Sequence, residues 1–138
     1  MSVSTLLAAT TENDRKPTVI DDTHLERMTL GDRRLEREVL ELFVRQTTIL
    51  LGRIMGAEPG LAAAAAHTLK GSARGVGAWR VARAAELVEN AATGDRAQDG
   101  RQGGMDEAVT ELKAASLEAS AAIGSRLTGL VAELARGR

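Results

Sequence analysis

The chain has no cysteine, two histidines and two aromatic residues, Phe43 and Trp79. The absence of cysteine excludes disulfides, cysteine nucleophiles and thiolate metal sites, and it fits a reducing cytoplasm. His24 and His67 are too few for a histidine-rich metal cage, so we expect no metal site. The 18 Lys and Arg against 19 Asp and Glu give a net charge of -1, and no basic excess favours nucleic-acid binding. Apolar runs stay shorter than the roughly 20 residues of a membrane span, so we expect a cytoplasmic protein with no membrane partner.

Alanine and leucine are the abundant residues, with 24 Ala and 17 Leu among 138. Both are good helix formers, whereas the β-branched and aromatic residues that strands prefer are scarce. The length suits one domain. The composition therefore predicts an all-α protein, a helical bundle with small side chains at its helix contacts.

The N-terminal segment differs from the rest of the chain. Residues 1–20 mix polar residues without a sustained period, which predicts a flexible tail and leaves residues 21–138 as the domain. Capping residues from Asp21 onward begin a short first helix, and Gly31 ends it.

Four longer helices follow. Asp32 can cap the second, which should reach about residue 55, and Pro59 suits the first position of the third. The fourth is expected from Ala78 to about Thr93, and the fifth from about residue 105 to about 135, after a glycine-rich flexible connection from Gly94 to Gly104. The predicted core face of the second helix carries seven apolar residues: Leu35, Val39, Leu42, Phe43, Ile49, Leu50 and Ile54.

The third helix has two faces of different character. A helical wheel places an apolar stripe toward the core. His67 falls on the opposite side, so its imidazole is expected to point outward among small residues and two cations. The core stripe consists of Ala62, Ala65, Leu69, Ala73 and Val76, and the face of His67 carries Ala63, Ala64, Lys70, Gly71 and Arg74.

A lone histidine on a helix is usually an ordinary surface or hydrogen-bonded residue, and two neighbours of His67 argue for more than that. Gly71 inside a helix costs about 1 kcal/mol relative to alanine, and it leaves the imidazole edge bare. Lys70 is one of only three lysines and lies one turn away, where an ammonium can neutralise a phosphoryl group. A neutral imidazole at about pH 7 is a suitable nucleophile for phosphorus.

These residues carry a resemblance to a known family. The run around His67, the residues after it and an upstream helical stretch resemble the signature of histidine-containing phosphotransfer (HPt) domains, and the likeness extends over about residues 22–135. The stretches are Ala66-His67-Thr68-Leu69-Lys70-Gly71-Ser72-Ala73, then Val76-Gly77-Ala78 with Val81, Ala85 and Glu89, and Leu35-Glu36-Arg37-Glu38-Val39-Leu40-Glu41-Leu42-Phe43.

The resemblance implies an antiparallel four-helix bundle with a short extra N-terminal helix. His67 would be the phosphorylated residue, Lys70 would stabilise the phosphoryl group and Gly71 would give the partner access. Members relay phosphate to and from aspartates of receiver domains and take it from sensor kinases, including hybrid ones. They have no kinase activity and need no cofactor, because the receiver supplies the magnesium site. We therefore expect a monomeric carrier whose partner surface includes Ala63, Ala64 and Arg74.

Two other functions stay open, and several side chains have simpler interpretations. The bundle can serve as a docking adaptor whose His67 is never phosphorylated, or as the phosphotransfer domain of a larger chemotaxis-type histidine kinase. The chain carries no kinase domain, so we expect the free carrier. His24 is expected to be an exposed surface residue and Trp79 a packing residue at a helix start. Four glutamates are expected to lie on solvated faces and to pair with nearby arginines: Glu38, Glu41, Glu86 and Glu89.

Overall fold

The computed structural model describes residues 19–94 and 102–137, and this part of the chain contains helices and no strand. The all-α prediction is confirmed. The five helices are α1 (Asp22–Met28), α2 (Arg33–Ile54), α3 (Pro59–Val76), α4 (Trp79–Thr93) and α5 (Gln102–Arg136).

The helices begin where the capping residues predict. The Asp21 carboxylate accepts a hydrogen bond from the backbone N–H of His24 at 3.1 Å and caps α1. Asp32 does the same for α2, accepting from the backbone N–H of Arg34 at 2.9 Å. Pro59 is the first residue of α3, where its missing N–H costs nothing.

A tight turn joins α3 to α4 and sets their register. Gly77 ends α3 with a φ of 80°, a conformation that favours glycine. Its carbonyl accepts from the backbone N–H of Asp21 at 2.9 Å, and a Cβ there would lie 3.0 Å from the Asp21 side chain. Asp21 also accepts from the indole N–H of Trp79 at 2.9 Å. Trp79 is the first residue of α4, as predicted, and its side chain remains 41% exposed. The two hydrogen bonds of Asp21 connect the start of α1 to the α3–α4 turn.

His24 departs from its prediction as a surface residue. Its ring packs edge-on against Trp79, with 4.9 Å between the ring centroids. The ring is half-buried, and its Nε2 is enclosed without a hydrogen-bond partner among the described residues. The prediction fails because the periodicity of the short α1 gives no sign that α1 packs across the α3–α4 turn.

The four long helices form an antiparallel bundle. Neighbouring pairs in the bundle are α2 with α3, α3 with α4, α4 with α5, and α5 with α2, and the α3–α4 contact is the most extensive. The short α1 packs on α3. The observed architecture is the predicted four-helix bundle with an extra N-terminal helix.

The core is built largely from alanine. Every residue of the predicted α3 stripe is buried, and alanines of α4 and α5 belong to the same core cluster. Such small side chains allow neighbouring helices to approach closely. On α2, the predicted face is partly confirmed: Phe43, Leu50 and Ile54 are buried, and Val39 packs against the core. The prediction is wrong for Leu35, Leu42 and Ile49, which are exposed. The buried face of α2 is Glu36, Leu40, Phe43, Thr47, Leu50 and Ile54.

Two polar residues explain the error on α2. Thr47 is buried because its hydroxyl donates to the Phe43 carbonyl at 2.7 Å. Glu36 is buried because Arg33 and Arg126 donate to its two carboxylate oxygens at 3.0 and 2.7 Å. Buried polar groups are tolerated when they are hydrogen-bonded. The spacing of apolar residues along one helix does not reveal which polar residues have such partners.

Two predicted boundaries are corrected. The sequence pattern places Ile20 in the tail, but Ile20 is buried in the core, so the folded part includes residues 19 and 20. The remainder of the predicted tail, residues 1–18, lies outside the described residues. α5 begins at Gln102, before the predicted start. Most of the predicted glycine-rich connection, residues 95–101, also lies outside the described residues.

Candidate functional site

His67 lies in the middle of α3 and faces away from the core. Its side chain is 67% exposed, whereas its neighbours Ala66 and Leu69 are fully buried. This is the orientation that the helical wheel predicts. The helix fixes the position of the backbone, so the imidazole is presented at the surface from a rigid element.

A glutamate on the neighbouring helix holds one edge of the imidazole. Nδ1 of His67 lies 2.9 Å from Oε2 of Glu89. The other oxygen of the same carboxylate, Oε1, accepts a hydrogen bond from Nζ of Lys70 at 2.8 Å. The three side chains form one chain of contacts, ammonium to carboxylate to imidazole, across the α3–α4 seam.

Glu89 is ionised at neutral pH. The hydrogen bond from Lys70 lowers its pKa most, partial burial raises it, and the hydrogen bond with His67 lowers it further; the net pKa lies below the ordinary value of 4.5. An ionised carboxylate can only accept hydrogen bonds. The proton on the neutral imidazole of His67 therefore resides on Nδ1.

This tautomer leaves Nε2 with a free lone pair. Among the described residues, none forms a hydrogen bond with Nε2, and the ring is well exposed. A partner carboxylate on Nδ1 fixes the tautomer of an imidazole and orients its ring. The site can thus present a fixed nucleophilic nitrogen to a second molecule.

The surface beside His67 is open. A Cβ added at Gly71 would meet nothing within 4 Å outside its own helix, so the bundle does not require glycine there for packing. Ala64 is exposed on the same side of α3. The Arg74 side chain is 56% exposed, and its Nη2 lies 3.9 Å from Oε1 of Glu86.

Two residues of the predicted face are placed differently. Ala63 is only 8% exposed, so it is not available to a partner. The Lys70 side chain is 14% exposed and turns toward α4 instead of standing free beside His67. Both lie on the flank of α3 that packs on α4, and the wheel does not resolve this flank from the outward face.

Glu89 is a site residue that the sequence reasoning misses. That reasoning groups it with Glu38, Glu41 and Glu86 as a solvated carboxylate. A signal for its role is nevertheless present, because His67 and Glu89 are equally far along the chain from Ala78, at the α3–α4 turn. An antiparallel helix hairpin places such residues opposite one another.

The described residues contain neither a candidate metal site nor a candidate membrane span. Residues 19–94 and 102–137 hold no cluster of three or more His, Cys, Asp or Glu side chains that could bind a metal. In the same part of the chain, no helix has both the length and the hydropathy needed to cross a bilayer.

His67 lies on the surface of a four-helix bundle, with one ring nitrogen bonded to Glu89 and the other exposed. Such a histidine is suited to carrying a phosphoryl group. The sequence profile of the Hpt domain family matches residues 38–135, a range that contains His67, Lys70, Gly71 and Glu89. The chain belongs to the Hpt domain family, a family of phosphotransfer carriers.

The fold has a counterpart among solved structures. The chain is similar to the crystal structure of a rice protein described as a histidine-containing phosphotransfer protein, with a TM-score of 0.68 and 17% sequence identity, over 92% of each chain. At this identity the likeness concerns the fold alone. No curated protein sequence matches the chain.

Proposed function

We propose that this protein carries phosphoryl groups to and from receiver-domain aspartates in a two-component phosphorelay, and that His67 is the residue phosphorylated. One observation carries the proposal: Glu89 holds Nδ1 of His67 at 2.9 Å while the other ring nitrogen faces solvent. This arrangement suits a nucleophile that must be reached by another protein's active site.

The transfer conserves atoms and charge. The lone pair of Nε2 attacks the phosphorus of an aspartyl phosphate, and the P–O bond to the aspartate breaks with its electron pair leaving on the carboxylate. The Nδ1 proton stays on the ring, where the Glu89 carboxylate offsets the positive charge of the phosphorylated imidazolium. Transfer onward is the reverse of this reaction with a second aspartate.

The surroundings of His67 fit the approach of a partner. Gly71 and Ala64 leave room on the outward face, and the exposed Arg74 adds a positive charge at its rim. That charge would attract an acidic phosphoacceptor pocket and act mainly on the association rate. The described residues include no candidate metal cluster, and in the proposed reaction the receiver supplies the magnesium ion.

The proposed partners are response-regulator receiver domains and a sensor histidine kinase, hybrid kinases included, acting in the cytoplasm. The protein would function as a monomer without kinase activity, because the phosphoryl group arrives already activated on the donor. A relay must release its product, so a Kd in the micromolar range, about -8 kcal/mol, is expected for the receiver complex.

A phosphotransfer screen tests the proposal. Purified receiver domains from the same source are phosphorylated and mixed with the full chain, and acid-labile, base-stable label is followed. The expected result is label on this protein from at least one receiver, and no label on His67→Gln. If no receiver transferred phosphate while some bound the surface, the chain would be a docking adaptor instead.

A further inference from the structure

We propose that the outer face of α2 binds the same face of a second copy of this chain, through an antiparallel pair of α2 helices. This inference goes beyond the proposed function, and its test needs no phosphotransfer. The outer face of α2 consists of five exposed residues: Leu35, Glu38, Leu42, Arg45 and Ile49.

The apolar residues of this face form a regular line. Leu35, Leu42 and Ile49 follow one another at intervals of seven residues, and they are 37%, 47% and 54% exposed. Side chains at this interval turn by only about 20° per step, so the line extends about 21 Å along one side of α2. Apolar residues repeated every seven positions are typical of helices that pair with another helix. The described helices leave all three exposed, so a second molecule is needed to bury them.

The charges of the same face are available to a second molecule. Among the described residues, neither Glu38 nor Arg45 forms an ion pair, whereas other charged residues of α2 do. At about 100° per residue, both lie on one flank of the apolar line. The other flank carries Gln46, which accepts a hydrogen bond from the Ser72 hydroxyl of α3 at 3.2 Å. Glu38 and Arg45 therefore lie on the flank away from α3.

The outer face of α2 is complementary to itself about a two-fold axis at the level of Leu42. Antiparallel pairing about this axis places Leu42 beside Leu42 of the partner subunit, and Leu35 beside Ile49 of the partner subunit. The flank is shared, and Glu38 comes within about 1.5 Å of the level of Arg45 of the partner subunit. A two-fold axis repeats every contact, so each of the two charges meets an opposite charge in both copies.

The order of the charges selects the antiparallel arrangement and the second copy. Parallel pairing would place Glu38 beside Glu38 of the partner subunit and Arg45 beside Arg45 of the partner subunit, and like charges would oppose it. A receiver domain can also cover an apolar line, but its binding does not require charges that complement one another about the centre of that line. This self-complementarity is the observation that favours a second copy.

The pairing is expected to be weak and reversible. One pair of helices buries less than the roughly 1,200–2,000 Å² of a stable interface, so we expect a Kd on the order of 100 μM. At lower concentrations the chain is the monomer of the proposed function. The phosphotransfer chemistry stays within each copy, because His67 and Glu89 lie on α3 and α4.

Sedimentation equilibrium of the full chain, from about 10 μM to about 1 mM, is the first arm of the test. We expect a monomer–dimer equilibrium that Leu42→Gln weakens at least about fivefold by adding a polar group at the two-fold axis. Leu117→Gln is the matched control, since Leu117 is 71% exposed on α5 and should not affect association. Circular dichroism checks that each variant is folded. A wild-type chain that stays monomeric to about 1 mM, or equal losses in the two variants, would overturn the inference.

The second arm exchanges the charges. Glu38→Arg and Arg45→Glu each place like charges opposite one another, so each variant by itself should associate at least about fivefold more weakly than wild type. An equal mixture of the two variants should associate about as tightly as wild type, because every contact between positions 38 and 45 then joins opposite charges. A mixture that associates no better than the separate variants would overturn the antiparallel pairing. Binding of a purified receiver that Leu42→Gln abolishes, without self-association of the wild type, would assign this face to the receiver instead.

Discussion

Two glutamates in this bundle each bind two nitrogen-bearing side chains, and their surroundings differ. Glu36 has a 3% exposed side chain and accepts from Arg33 and Arg126, the latter also paired with Asp22. Glu89 is 23% exposed and binds Lys70 and His67. Both clusters join neighbouring helices through one carboxylate.

The Glu36 and Glu89 clusters differ in whether a partner of the carboxylate keeps a nitrogen that can act as a nucleophile. Arginine stays charged and can only donate, so the Glu36 cluster ties α1, α2 and α5 together without offering a nucleophile. At Glu89 one partner is histidine, which has a second ring nitrogen, and its ring is exposed. The same carboxylate chemistry thus stabilises the fold in one place and prepares a reactive atom in the other.

The largest expected effect is the loss of phosphorylation, without a loss of stability, when His67 is replaced. His67→Gln should abolish acid-labile phosphorylation and change the free energy of unfolding by less than about 0.5 kcal/mol, because the side chain lies outside the core. His24→Gln is the matched control and should keep full labelling. Phosphate incorporation and urea unfolding measure the two properties. Label retained by His67→Gln would refute the assignment.

The Glu36 cluster should behave in the opposite way. Glu36→Ala leaves Arg126 without its buried partner and is expected to cost about 2–3 kcal/mol of unfolding free energy, at the lower end for broken ion pairs because Arg126 is partly exposed. Glu38→Ala, an exposed neighbour on α2, is the control and should change little. Transfer per folded molecule should not change. A Glu36→Ala protein as stable as wild type would show that this cluster contributes nothing to the fold.

A substitution at Gly71 should separate access to the site from stability. Gly71→Gln is expected to stabilise the protein by about 0.5–1 kcal/mol, since glycine is a poor helix former and nothing crowds the position. Transfer from a receiver should nevertheless slow strongly because the new side chain obstructs the partner. Gly124→Gln on α5 offers equal space and should stabilise the protein without slowing transfer. Unchanged transfer in Gly71→Gln would remove the access role.

The smallest effect concerns pH. The folded-state pKa of Glu89 is lowered, so its contacts contribute stability above its ordinary pKa of 4.5 and lose it as pH falls through the lower folded value. The difference in unfolding free energy between wild type and Glu89→Gln should therefore shrink as the pH falls below about 4.5. Urea unfolding across pH 3–7 measures it. A difference that grows as the pH falls below 4.5 would contradict the assigned sign.

Local signals account for most of what the sequence predicts correctly. Asp21, Asp32 and Pro59 mark helix starts by their own chemistry, and the wheel of α3 separates His67 from its core stripe. These features depend on residues within one or two turns of each other. The existence of the helices and the outward direction of His67 therefore follow from the amino-acid sequence by itself.

Features that depend on contacts between helices could not be predicted from the pattern of residues within each helix. Glu36 is buried because an arginine from α5 meets it, and Glu89 joins the site because the α3–α4 turn places it opposite His67. Ala63 is only 8% exposed although it lies near the face of His67. Each error comes from a contact made far along the sequence, which periodicity within one helix does not encode.

The central claim concerns one atom, Nε2 of His67, and NMR of the phosphorylated protein tests it most directly. Nitrogen-15-labelled protein is phosphorylated by a cognate receiver, and phosphorus–nitrogen couplings identify the substituted ring nitrogen. The account predicts phosphorus on Nε2 of His67, with Nδ1 protonated and still bonded to Glu89. Phosphorus on Nδ1 of His67 or on either nitrogen of His24 would contradict it.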